Sequence, residues 1–174
     1  GHGPCCRDLD AGALRYARHL HIGEGGVGII DQVVGVQDKA AFYNAGLTRF
    51  DLGKLFEALP FFQKAVQLDP DFAPYYYALG NTYKILRRYD EALSQYKLAL
   101  KYDPIHVDSI NNRGVIFLIL NQRGLAEKAF ENALALAKDH SSALNNLAGI
   151  RLVQGRYEEA LTLLNRYLNI YPDL

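Results

Sequence analysis

APYYYALGNTYKILRRYDEALSQYKLALKYDPIH, residues 73–106, carries two apolar faces of helical spacing, one after the other. Tyr76, Leu79, Gly80 and Tyr83 fall at i, i+3, i+4 and i+7. Tyr89, Ala92, Leu93, Tyr96, Ala99 and Leu100 set up a second such face. Arg87 and Arg88 close the first helix, where cations suit the negative end of the dipole, and Asp90 and Glu91 open the second. Asp103-Pro104 stops it, because proline cannot continue a helix and pushes the preceding residue out of the α region. The stretch predicts a helix–turn–helix hairpin with one apolar face per helix.

The same design recurs once before and twice after, always 34 residues on. With Lys39 as position 1, position 8 reads Gly46, Gly80, Gly114 and Ala148, and position 20 reads Ala58, Ala92, Ala126 and Ala160. Position 24 reads Phe62, Tyr96, Phe130 and Leu164, and position 27 reads Ala65, Ala99, Ala133 and Tyr167. Small residues at 8 and 20 let two backbones approach, and a large one at 24 fills the adjoining layer. Position 32 is Pro70, Pro104 and Pro172, with Lys138 breaking the series.

This pattern resembles the tetratricopeptide repeat (TPR) family over Lys39 to Leu174. The resemblance implies an all-α, right-handed α-solenoid of four hairpins, 39–72, 73–106, 107–140 and 141–174, after an irregular N-terminal segment, 1–38. Arg113 at position 7 is the odd residue of an otherwise apolar set. In the family, positions 2, 5, 6, 9, 12 and 13 line a concave groove. Here that implies a peptide-binding surface of Tyr43, Asn44, Leu47, Phe50, Tyr77, Asn81, Lys84, Asn111, Asn112, Asn145 and Asn146. A carboxamide both donates and accepts, so such groups one repeat apart suit the backbone of an extended peptide. The series is similar to the asparagine ladder in the TPR region of O-linked N-acetylglucosamine transferases. The alternative is that the asparagines cap or solvate helix starts. A terminal-carboxylate clamp of the chaperone-binding kind is disfavoured, since its basic positions fall on Tyr77, Ser142 and Asn146.

Composition excludes several classes. Formal charge is zero over 174 residues, which leaves no electrostatic footprint for nucleic acid or an anionic membrane. No apolar run approaches the roughly 18 residues of a membrane span, and no secretory signal pattern opens the chain. Cys5 and Cys6, adjacent and alone, give no disulfide framework, so a reducing, cytoplasmic setting is expected. The Gly-His-Gly-Pro start, without Met, reads as processed or truncated.

Residues 1–38 read either as a degenerate helical hairpin broken by Gly23, Gly25, Gly26 and Gly28 or as a loosely ordered arm. Gly23, Gly25 and Gly28 match G-x-G-x-x-G but lack the strand that a nucleotide fingerprint requires. His2, Cys5, Cys6, His19 and His21 meet no zinc spacing. Asp139-His140-Ser141 is explained by a turn between repeats. No catalytic residue, metal or cofactor is therefore expected. Two features of the second helix of the first hairpin stand out. Phe56 and Phe61 occupy positions expected to face solvent, under a covering N-terminal segment or another molecule, and Pro60 falls near the helix start, where a missing N–H costs least.

The expected function is a non-enzymatic protein–protein interaction scaffold that holds a peptide or partner segment in the groove. The last helix, 157–170, leaves Leu161, Leu164 and Leu168 for a further element or a second copy, so homo-oligomerisation through the solenoid ends is a second expected mode. A narrower resemblance, to the MamA family of self-assembling magnetosome scaffolds, points the same way. The alternative is a TPR targeting module of a larger enzyme, such as a glycosyltransferase.

Overall fold

The computed structural model describes residues 38–170, which form eight α-helices and no strand. The chain divides into two compact units, residues 1–70 and 71–174. In the first unit, α1 (Lys39–Asp51) and α2 (Leu55–Leu68) form one hairpin. The second unit holds three: α3 (Ala73–Ile85) with α4 (Tyr89–Tyr102), α5 (Val107–Ile119) with α6 (Arg123–Leu136), and α7 (Ser141–Val153) with α8 (Tyr157–Ile170). The architecture is an all-α solenoid of tetratricopeptide-type hairpins. Among the described residues no helix is long and apolar enough to cross a membrane.

Each of the first three hairpins closes on a steric fit between its two helices. A Cβ added to Gly80 would lie 2.5 Å from the ring of Tyr96. Gly46 stands in the same relation to Phe62, and Gly114 to Phe130, at 2.6 Å each. The rings of Phe62, Tyr96 and Phe130 are fully buried. The glycine is thus the absence of an atom, and the ring occupies the space. The alanines at position 20 (Ala58, Ala92, Ala126 and Ala160) are fully buried as well. Further along, Ala126, Phe130, Ala133, Ala143, Leu147 and Ile150 join the third and fourth hairpins into one core, with Leu134 packed against it.

Each hairpin turn needs one left-handed residue at position 15. Gly53 and Gly155 supply it freely at φ 73° and 74°, but Arg87 and Asn121 adopt φ 60° and 58° with side chains. The backbone N–H groups of Lys54, Arg88, Gln122 and Arg156 then reach back to the Arg49, Tyr83, Phe117 and Arg151 carbonyls, so the same closing bond recurs four times. Arg87 therefore lies in the turn and Arg88 serves the second helix, pairing with Glu91 at 2.6 Å and lying over the Tyr83 ring. The cation of the first helix's last turn is Lys84.

Three further expectations are corrected or filled in. Phe61 is buried, with the Arg49 guanidinium 3.9 Å from its ring centre, whereas Phe56 is 72% exposed. Pro60 is the sixth residue of α2, beyond the first turn, so the carbonyl of Phe56 lacks its usual donor. Arg113, the odd residue at position 7, lies over the Phe117 ring one turn on. The degenerate hairpin read in residues 1–38, the glycine-rich motif and the His/Cys group lie outside the described residues, save Asp38, which caps α1.

One ion cluster binds the last three helices. Arg151 of α7 is only 4% exposed and meets Glu127 and Glu131 of α6 and Glu159 of α8. Arg156 reaches Glu127 at 3.2 Å and Glu159 at 2.7 Å, and the Gln154 amide donates to Glu127 at 2.8 Å. Burial pushes the Glu127 carboxyl up, but Gln154, Arg151 and Arg156 together bring it below the ordinary range. Glu159 is lowered chiefly by Arg156.

This packing makes two outcomes measurable. Gly80→Ala forces a methyl into the Tyr96 ring and should cost about 1–3 kcal/mol. Gly149→Ala, mid-helix with nothing within 4 Å of the new methyl, should instead gain about 0.5–1 kcal/mol. Urea unfolding of the two variants should give opposite signs for the same chemical change. The second outcome concerns acid. The folded-state values of Glu127 and Glu159 lie below the ordinary 4.5, so their contribution is complete above that pH and is lost as pH falls beneath it. Unfolding free energy should drop on acidification below that point, and less steeply in Glu127→Gln.

Candidate peptide-binding face

The helix starts settle what the asparagines do not do. α5 and α7 are capped by histidines one repeat apart: His106 Nδ1 accepts from the Ser109 N–H and His140 Nδ1 from the Ala143 N–H, each at 3.2 Å. Nδ1 of both rings is therefore unprotonated, and the remaining nitrogen, Nε2, of His140 donates to Asp108 at 3.0 Å. His140 faces Asp108 and not its neighbour Asp139, which instead lies 3.6 Å from Arg166. Asparagines 111, 112, 145 and 146 begin one turn further in.

There the carboxamides bond to one another. Asn146 Nδ2 donates to Asn111 Oδ1 at 3.2 Å, Asn111 Nδ2 approaches Asn112 Oδ1 at 3.5 Å, and Asn112 Nδ2 donates to Asn81 Oδ1 at 2.8 Å. Tyr96 donates its phenol hydrogen to the same Asn81 oxygen at 2.6 Å. The partners are 31 and 35 residues apart, close to one repeat, so α3, α5 and α7 lie side by side and parallel along this face. Burial pushes the Tyr96 phenol far above its ordinary value, with the Tyr77 charge adding to it, so the group stays a neutral donor. Burial raises Tyr77 too, against the amides of Asn81 and Asn112 beside its hydroxyl.

The sequence-derived site residues thus fall into distinct states. Asn81, Asn111, Asn112 and Asn146 are brought together in one network, with the Tyr77 ring leaning on Tyr96 beside it. Asn111 is buried inside it, with both ends of its carboxamide engaged. Asn112 and Asn146 are half-buried, each with an amide hydrogen to spare, and Asn145 is exposed. Lys84 shares the α3 face with Tyr77 and Asn81 but holds no ion pair among the described residues. Tyr43, Asn44, Leu47 and Phe50 run along α1 in the first unit, where Tyr43 leans on Phe62 with ring centres 5.9 Å apart.

Two recesses open beside the network. One, of about 430 Å³, is lined by the amides of Asn111, Asn112, Asn145 and Asn146 and the hydroxyls of Ser141, Ser142 and Tyr167. The other, of about 380 Å³, shares Asn145 and Asn146 and is otherwise lined by Leu118, Gly149, Ile150 and Val153 together with Arg123 and Gln154. An uncharged hydrogen-bonding recess next to an apolar one suits a chain with peptide groups and scattered apolar side chains. Ser141 and Tyr167 fall outside groove positions 2, 5, 6, 9, 12 and 13, and Ser142, at position 2, was not carried into the site; Tyr167 was detectable as the one large residue at a position that is otherwise alanine.

Three family models match the chain. One described as tetratricopeptide repeat matches residues 120–174, a second described as TPR repeat matches 46–86, and a third, again tetratricopeptide repeat, matches 73–106. No curated protein matches it in sequence. Among solved structures, a crystal structure of MamA is similar at a TM-score of 0.72 and 18% identity, over 83% of this chain and 84% of that one. A thermophilic TPR protein of Thermus thermophilus gives 0.68 and 29% identity, over 79% and 76%. The first TPR of Spaghetti (RPAP3), solved bound to an HSP90 peptide, gives 0.64 and 24%, over 68% and 94%.

A double-mutant cycle checks the network. Tyr96→Phe keeps the ring, as Phe62 and Phe130 do naturally, and should cost ~1 kcal/mol. Asn81→Ala leaves a buried hydroxyl without an acceptor and should cost more, ~1–3 kcal/mol. The two together should cost less than their sum, measured by chemical unfolding.

Proposed function

We propose that this chain, which belongs to the tetratricopeptide repeat family and is a protein–protein interaction scaffold, binds an extended peptide segment of a partner across the face of α3, α5 and α7. The observation that carries this reading is the amide recess. Its lining is uncharged and mixed in donors and acceptors, which is what a peptide backbone asks for and what a charged ligand does not. The apolar recess beside it would take an apolar side chain of the same segment, and burial there would supply the larger share of the affinity. The Spaghetti TPR, a structural neighbour, holds a peptide, which supports the ligand class.

The network has a specific part in this reading. Bonds among Asn81, Asn111, Asn112 and Asn146 fix the rotamers of side chains that would otherwise be mobile, so less entropy is lost on binding. The spare amide hydrogens of Asn112 and Asn146, one repeat apart, then meet the ligand already oriented.

The test uses the full chain and a displayed library of random peptides. A peptide selected on the wild type should lose about tenfold or more in affinity for the Asn112→Ala, Asn146→Ala double variant, read by fluorescence anisotropy. The helical circular dichroism and cooperative unfolding should remain. Undiminished binding by a folded double variant would overturn the reading.

A further inference from the structure

The amide network is directional, and its direction has a chemical consequence. A carboxamide oxygen has two lone pairs. Both of those on Asn81 are used, one by the Tyr96 hydroxyl and one by the Asn112 amide. Asn81 can therefore offer only N–H. Its neighbour Tyr77 keeps its phenol hydrogen, because burial raises its affinity for a proton, and so it can donate as well. This end of the network consists of donors.

Lys84 stands at the same end. Residues 77, 81 and 84 are spaced i, i+4 and i+7 and so share one face of α3. The side chain is half-buried, and no carboxylate pairs with it among the described residues. Burial lowers its affinity for a proton, and no acidic neighbour offsets that effect. Other cations of the second unit are well exposed or engaged: Arg151 and Arg156 have their glutamates, Arg88 has Glu91, Arg166 lies near Asp139, and half-buried Arg113 lies over the Phe117 ring. The charged group on the opposite rim is Asp108, at position 2 against position 12 for Lys84. Ten helical positions amount to about 15 Å along the axis, and Asp108 is already bonded to His140.

We propose that the peptide segment presents an aspartate or glutamate side chain to Lys84, with the Asn81 amide and the Tyr77 hydroxyl as flanking donors. This rests on the peptide-binding reading above and adds a sequence preference to it. The recess around Asn112 and Asn146 recognises backbone, and Lys84 fixes where along the segment an acid must stand. The carboxylate removes the cost of an unpaired half-buried cation, and a charge-assisted bond in a partly dry site is stronger than one in water.

Selections from a displayed library whose peptides have no free carboxyl end test this, on the wild type and on Lys84→Gln. Wild-type selections should be enriched in Asp or Glu at one register position. Lys84→Gln should lose that enrichment while still capturing neutral peptides, and the best acidic peptide should bind it about tenfold more weakly. Lys84→Arg, which keeps the charge, should retain the preference. Equal acidic enrichment on the wild type and Lys84→Gln, or none on the wild type, would overturn the proposal while leaving the peptide-binding reading intact. If the wild type captures no peptide at all, both fail together.

Discussion

The ring of Tyr96 set against Gly80 is the contact on which the second unit depends. The glycine leaves a space that any Cβ would fill, and the ring fills it from the partner helix. Dispersion contacts fall away within an ångström of separation, so the fit sets the distance between the two helices closely. The same ring carries a hydroxyl that reaches past the hairpin to Asn81. One side chain therefore closes the hairpin on its apolar edge and starts the polar network from its tip. Phe62 and Phe130 perform the first task without the second.

From that starting point the polarity of the binding face follows. The Tyr96 hydroxyl is too deeply buried to ionise, so it donates, and Asn81 must accept. The Asn112 amide takes the remaining lone pair, and the sense of each successive bond is then set through Asn111 to Asn146. Chains of such bonds in a partly dry setting reinforce one another. The result is a face with donors and a cation near Lys84, amides in the middle, and an acid bonded to histidine on the far rim.

The fold was legible because it rests on volume, and volume recurs. Gly46, Gly80 and Gly114 keep one interval from each other and another from their rings, and both intervals can be counted in the chain. Asparagine at positions 5 and 6 was legible as a repeated feature of one face, but its use was not. Whether Asn111 meets a ligand or Asn146 depends on side-chain rotamers and on the approach of helices a repeat apart, neither of which a periodicity carries. The histidine caps were hidden for a related reason: His106 and His140 recur at the required spacing, but histidine is an uncommon cap and gives no local signal. Arg87 and Asn121 in the left-handed region were masked because glycine fills that position in only two hairpins. Arg151 would have read as a surface residue, since its three glutamates come from two other helices. Phe61 misled because position 23 turns inward in other hairpins too, where Ala129 is buried and Leu163 packs on the core, and Pro60 misled because its helix begins five residues earlier, at Leu55.

Asparagine side-chain amide signals in the NMR spectrum of the full chain, titrated with a library-selected peptide, test the central claim most directly. The carboxamides of Asn112 and Asn146 should shift on binding, with Asn81 and Asn111 following through the bonds that join them, while Asn132 of α6 stays fixed. A saturating peptide that leaves those four signals unmoved would contradict the account.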